Sequence, residues 1–230
     1  MHYLALATDY DGTIAHDGIV DADTLAALRR VRESGRKLIL VSGRELESLF
    51  ATFDHVNLFD LAVLENGALL YYPATKESRH IAPPPPEALV DRLRAAGIPL
   101  SVGRSIVATE VPHEHVLLTA IRDLGIEWHV IFNKGSVMAL PSGITKATGL
   151  APALEDLGIP AERVVGVGDA ENDHSFMRMC GLSVAVANAL PAVKETADLV
   201  TAGARGFGVT ELIDRLLADD LADVQRKAGG

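Results

Sequence analysis

"YLALATDYDGTIAHDG", residues 3–18, sets an apolar run, Tyr3-Leu4-Ala5-Leu6-Ala7, directly before Asp9 and Asp11, with Asp17 a little further on. The run reads as a buried strand, and carboxylates at the end of a buried strand need compensation from elsewhere in the chain. Downstream segments alternate. "DADTLAALRRVRESG" reads as a helix with Asp21 or Asp23 as N-cap and Gly35 as its stop, and "RKLILVSG" as a short continuous apolar strand. A helix through "RELESLFATF" follows, and then "LAVLENGALLYY", a strand with a hairpin-like return at Asn66-Gly67. This βαβαβ progression is the signature of a parallel sheet covered by helices.

The pattern breaks at Pro83–Pro86, which continue neither a helix nor a strand ladder. Beyond them the texture is αββαββ: helix "EALVDRLRAAG", strands "IPLSV" and "SIVATEV", helix "HEHVLLTAIRDLG", strands "IEWHVIFN" and "SVMAL". That order implies a small open-faced antiparallel sheet ending at "PSGITK", after which βα alternation resumes through "RVVGVGD" and "LSVAVAN" to a last helix, "VTELIDRLLADD". The expected fold is α/β, a doubly wound, Rossmann-like parallel core built from residues 1–81 and 142–230, with an inserted small α+β unit at 82–141.

Composition narrows the function classes. With 48% hydrophobic residues and 23% charged ones, 230 residues build a globular protein with a core mostly of Ala, Leu, Val and Ile. A net charge of -10 argues against a nucleic-acid partner or an anionic membrane surface, because phosphate backbones reward the opposite sign. The single cysteine, Cys180, excludes an internal disulfide and a cysteine-based zinc site. No apolar run is long enough to span a bilayer and the N-terminus carries no signal-type segment, so a cytoplasmic location is expected, and a homodimer is left open.

Ligands of open α/β sheets bind at the carboxyl ends of the strands, so those ends belong together. They supply Asp9 and Asp11, then Ser42-Gly43-Arg44, then Glu65-Asn66-Gly67, and later Gly168-Asp169, while Lys146 starts a helix just after the insertion. Carboxylates, a hydroxyl, a lysine and open backbone amides on one edge can bind Mg²⁺ through oxygen and a phosphate through Ser, Lys and N–H groups.

"DYDGT", "VSGR", Lys146 in "SGITKATGL" and "GDAENDHSF" resemble, in order, the four motifs of the haloacid dehalogenase superfamily of phosphohydrolases. "ENGAL" and the place of the insertion make the chain similar to the Cof-like branch with a C2-type cap, which includes archaeal-type phosphoglycolate phosphatases and sucrose-phosphate phosphatases. The resemblance implies a Mg²⁺-dependent phosphomonoester hydrolase acting on a small phosphorylated metabolite, a sugar phosphate or phosphoglycolate, through an aspartyl-phosphate. It implies Asp9 as nucleophile and Asp11 as acid, then base. Mg²⁺ would be held by the Asp9 and Asp169 carboxylates and the Asp11 carbonyl, with Asp173 ordering ligand waters or Lys146. Ser42, Gly43, Lys146 and Asn172 would bind the phosphate, and Thr13 would orient Asp9.

Plainer readings stand beside these. Ser42 serves as a helix cap as well as a phosphate ligand, Asn66 as a turn residue or a ligand contact, Asp17 as a loop residue, and Asn188 as a peripheral one. The leaving group would meet the cap, where Arg104, Glu110, His113, His115, His129 and Lys134 are candidates. Solvated side chains explain the three histidines better than zinc does. Alternative functions are a phosphomutase of the same superfamily, a non-catalytic phosphate-binding protein, and a phospho-signalling receiver; the receiver is disfavoured because its acceptor Asp normally follows a later strand.

Overall fold

Strand β1 (Ala5–Thr8) is buried at every residue, as a strand covered by helices on both faces must be. It lies inside an eight-stranded sheet in a computed structural model that describes residues 1–133 and 135–227. Helix α1 (Ala22–Glu33) follows, and of its two candidate caps Asp21 does the work, accepting the Thr24 N–H at 2.8 Å. The chain continues through β2 (Lys37–Val41), α2 (Leu46–Thr52) and β3 (Leu61–Leu64), and returns antiparallel as β4 (Leu69–Tyr72) and β5 (Glu77–His80).

Next come α3 (Glu87–Ala95), β6 (Ser101–Val102), β7 (Val107–Glu110), α4 (Glu114–Leu124), β8 (Trp128–Asn133) and β9 (Ser136–Pro141). This is the expected αββαββ order, and it closes a separate antiparallel sheet ordered β6-β7-β9-β8. One face packs on α3 and α4 through Leu89, Leu93, Leu117, Val107 and Val137; the other carries Ile106, Met138 and Leu140. The chain then re-enters the large sheet with α5 (Lys146–Leu157), β10 (Val164–Gly168), α6 (His174–Met179), β11 (Leu182–Ala185), α7 (Pro191–Thr196), β12 (Leu199–Val200) and α8 (Arg205–Asp219). Among the described residues no helix is long and apolar enough to cross a membrane.

The large sheet runs β12-β11-β10-β1-β2-β3-β4-β5, parallel from β12 to β3. Beside β1 the strand order reverses, with β2 on one side and β10 on the other, so Asp9 emerges at the topological switch point. Three elements were not legible in the sequence. Strand β5, "ESRH", is a mostly exposed edge strand without apolar alternation, α7 is six residues long, and β12 is two.

The turn after β3 is a tight one. Glu65, Asn66 and Gly67 have φ of 52°, 53° and 103°, all left-handed. Gly67 packs backbone to backbone against the start of α5: a Cβ there would lie 1.9 Å from the Thr145 carbonyl oxygen. Gly149 faces it, and a Cβ on Gly149 would meet Gly67 Cα at 2.5 Å and its carbonyl at 2.6 Å. Neither contact can relax by rotating a side chain. We therefore expect Gly149→Ala to push α5 off the β3 turn at a cost of about 1–3 kcal/mol. Differential scanning calorimetry should show Tm lower by roughly 2–12 °C; an unchanged Tm would mean that α5 and the turn are not in contact.

Candidate active site

The strand ends converge as expected, but their partners differ in detail. Lys146, the first residue of α5, is 1% exposed, and its Nζ lies 2.6 Å from Asp9 Oδ1 and 2.5 Å from Asp173 Oδ1. Thr145 places it by closing a reciprocal capping box with Thr148. Asp173 is fully engaged, its Oδ2 accepting the backbone N–H groups of Asp169 and Ala170 at 2.9 Å each. Its Oδ1 makes one of the two contacts expected for it, to Lys146. Thr13 was expected to orient Asp9; its hydroxyl instead donates to Asp169 Oδ1 at 3.0 Å. Asn188 is peripheral, holding the Gly12 carbonyl and the Arg205 N–H, and Asp17 is an exposed loop residue with φ 51°.

Asp9, Asp169 and Asp173 each offer a carboxylate oxygen within 4.8 Å of the others, and all are buried. Among the described residues the three carboxylates gather around the Lys146 ammonium. Burial, and next the Asp173 carboxylate, push Asp9 above the usual carboxylate range, with Lys146 pulling the other way. Burial also works against the charge on Lys146, but Asp173 and Asp9 outweigh it and hold the proton more tightly than on a free lysine. A hard divalent cation suits this buried all-oxygen donor set, so the residues fit a metal ion. The Asp11 carboxylate is not in the cluster, and the role expected for Asp11 there runs through its carbonyl.

Asp11 instead faces Arg44, which grips it with both arms of the guanidinium: Nε to Oδ2 at 2.6 Å and Nη2 to Oδ1 at 2.8 Å. The guanidinium lies over the Tyr10 ring and also donates to Thr52. Ser42 is buried at the end of β2, its Oγ accepting the Arg44 N–H at 3.1 Å. It does not cap α2, whose N-cap position is Glu45 and carries no side-chain cap. Asn172 donates to Asn66 Oδ1 at 2.8 Å.

A cleft of about 360 Å³ opens over Asp9, Asp11, Ser42 and Arg44, roofed by Ser101, Asn133, Ser136 and Met138 of the small sheet. Of the candidate cap residues, Arg104, Glu110, His113, His115 and His129 do not line it. Arg104 is bonded to Ser78 and Glu47. His129 faces a separate cavity of about 590 Å³ beside Lys146 and Asn172. Lys134 lies outside the described residues. Glu65, which sequence reasoning left without a role, joins the two sheets by accepting the N–H groups of Arg104 at 2.9 Å and Ser105 at 2.7 Å; its complete burial raises its pKa.

A family model described as haloacid dehalogenase-like hydrolase matches residues 6–95 and 117–213. The chain belongs to this family. Over 224 residues this hydrolase is 31% identical to a phosphoglycolate phosphatase of Methanothermobacter thermautotrophicus, an alignment covering 93% of the chain and 98% of that protein. It is 29% identical to phosphoglycolate phosphatase 2 of Saccharolobus solfataricus, covering 94% and 93% of the two chains. Its fold is similar to that of a haloacid dehalogenase-like hydrolase from Bacteroides thetaiotaomicron, with TM-score 0.80, 22% identity, and coverage of 93% and 99%. A subclass IIB sugar phosphatase aligns with TM-score 0.72 and 19% identity, covering 92% and 98%.

Lys146→Met leaves the buried carboxylates without their lysine. We expect its urea unfolding midpoint in metal-free buffer to fall by the equivalent of about 3–5 kcal/mol, and to recover in part when a divalent cation is added. A midpoint equal to that of the parent would show that this ammonium does not hold the cluster.

Proposed function

We propose that the protein is a Mg²⁺-dependent phosphomonoesterase of small phosphorylated metabolites, with phosphoglycolate and sugar phosphates as the substrate class, working through an aspartyl-phosphate. One observation carries the reading: Asp9, Ser42-Gly43, Lys146 and Asp169-Asp173, far apart in sequence, meet around one strand end beneath a cleft. The relatives named as phosphoglycolate phosphatases support it.

In this reading Asp9 is the nucleophile, attacking phosphorus opposite the leaving oxygen. Asp11 gives its proton to the leaving alkoxide and later takes one from the attacking water, so it must first be released from Arg44. Ser42, the Gly43 N–H, Lys146 and Asn172 compensate the phosphoryl oxygens. Asp9 and Asp169, with the Asp11 carbonyl, would hold Mg²⁺, and Asp173 would keep Lys146 and the Asp169 backbone in place. The bound cation screens the approach of an anionic nucleophile to an anionic phosphoryl group. Residues 82–141 act as a cap that selects the leaving group and excludes water, while the core supplies the groups that touch phosphorus.

Release of inorganic phosphate from phosphoglycolate and a panel of sugar phosphates tests the reading. Activity should vanish in EDTA, return with Mg²⁺, and fall by more than about 10⁴-fold in Asp9→Asn; near-normal turnover in that variant excludes Asp9 as nucleophile. A phosphoryl group moved within a sugar rather than released would point to a mutase instead. Asp11→Asn should cost about 10²–10⁴-fold with poor leaving groups and much less with an aryl phosphate. Equal losses for both would remove Asp11 from the acid role, and rapid-quench detection of a slowly hydrolysing phosphoenzyme would place it in the second step.

A further inference from the structure

We propose that Glu65 is a positioning residue that latches the small sheet onto the core: its carboxylate fixes the β6–β7 turn and thereby sets how closely the roof of the cleft fits a leaving group. The effect on turnover rests on the phosphoryl-transfer reading above; the latch itself does not.

The β6–β7 hairpin turns through Arg104 and Ser105, with the Gly103 N–H donating to the Ile106 carbonyl at 2.9 Å. The backbone N–H groups of the two tip residues need acceptors from outside the hairpin, most strictly at Ser105, which is completely buried. Glu65 supplies both: Oε1 accepts from Arg104 at 2.9 Å and Oε2 from Ser105 at 2.7 Å. The approach is close. A Cβ on Gly103 would lie 2.8 Å from Glu65 Oε1 and 3.0 Å from Glu45 Cγ. The tip side chains reach the core as well, the Ser105 hydroxyl donating to the Ala82 carbonyl at 2.8 Å and the Arg104 guanidinium to Ser78 at 2.7 Å and Glu47 at 3.1 Å.

A backbone with φ 52° asks only for a residue that tolerates the left-handed region; it does not ask for a buried carboxylate. Such a group is unfavourable unless its oxygens are hydrogen-bonded, and here both donors belong to the other sheet. Lifting the turn would strand the charge or draw water onto it, so the carboxylate favours the seated position. The consequence reaches the cleft through one strand ladder. Ile106 and Ala108, the first and third residues after the tip, line the cleft, and on β9 Met138 pairs with Ala108 and Ser136 with Glu110. The height of Ile106, Met138 and Ser136 above Asp9 is therefore referred to Glu65.

The test compares Glu65→Gln and Glu65→Ala with the parent by NMR hydrogen exchange and by steady-state kinetics. Glutamine keeps the size and one acceptor oxygen but sets an NH2 group against one of the two tip donors; alanine removes both acceptors. Exchange of the Arg104 and Ser105 amides should be at least about 10-fold faster in Glu65→Gln and faster again in Glu65→Ala, and should rise by more than that of the β1 and α4 amides. Equal acceleration everywhere would report global loosening and overturn a local latch. kcat/KM for a phosphoglycolate or sugar phosphate that the parent hydrolyses should fall by about 10-fold, mostly through KM, while that for para-nitrophenyl phosphate changes by less than about 3-fold. Parental exchange at Arg104 and Ser105 in either folded variant overturns the latch; faster exchange with unchanged discrimination between the two esters overturns its part in fitting the leaving group. If Glu65→Ala fails to fold, Glu65→Gln decides. Gly103→Ala, which crowds the same carboxylate from the small-sheet side, should reproduce the exchange and kinetic changes, and parental behaviour in that variant counts against the latch. Should the parent release no phosphate from any ester with Mg²⁺ present, the phosphatase reading fails, and the exchange measurement still decides the latch.

Discussion

The Lys146 ammonium is the constraint on which the site depends. It sits among carboxylates from the first strand and from the loop after β10, where an unpaired charge of either sign is expensive. Its position follows from being the first residue of α5, and α5 in turn is pressed against the β3 turn by Gly67 and Gly149. The lysine therefore cannot withdraw without moving a helix. The three buried carboxylates, each offering an oxygen within 4.8 Å of the others, also form a group that could hold a cation.

A second constraint is the tripeptide Glu65-Asn66-Gly67. Three consecutive left-handed residues turn three different groups in three directions. The Glu65 carboxylate reaches the β6–β7 turn, the Asn66 amide reaches Asn172 and the Gly43 loop, and the Gly67 backbone meets α5. The small sheet, the Gly43 loop and the lysine helix are thus referred to one short turn. The Arg44–Asp11 pair has a different character: it is partly exposed and connects two loops at the carboxyl edge of the large sheet.

Much of the architecture was legible because it is written in local periodicity. Continuous apolar runs at Leu38–Val41 and Val164–Gly168 have to be buried strands, the Pro83–Pro86 break has to end an element, and the αββαββ texture after it is strong. Strand β5 escaped because an exposed edge strand needs no apolar face. The convergence of Asp9, Ser42, Lys146 and Asp169 was also legible, since parallel strands joined by helices bring their carboxyl ends to one edge.

Side-chain partners were not legible, because they depend on distances between segments that sequence order does not encode. Thr13 was assigned to Asp9 by proximity in the chain, yet β10 lies close enough for its hydroxyl to reach Asp169. The residues over the cleft show the same limit. His129, Ile131 and Asn133 alternate onto one face of β8, but only the seating of the small sheet on the core puts Asn133 over Asp9 and His129 over the other cavity. By itself the sequence determined the elements, their order and the edge at which the charged groups gather, because burial and periodicity are local properties of the chain. Tertiary structure alone decided which groups touch, because a hydrogen bond is made or lost over less than an ångström and that distance is set by packing between segments more than a hundred residues apart.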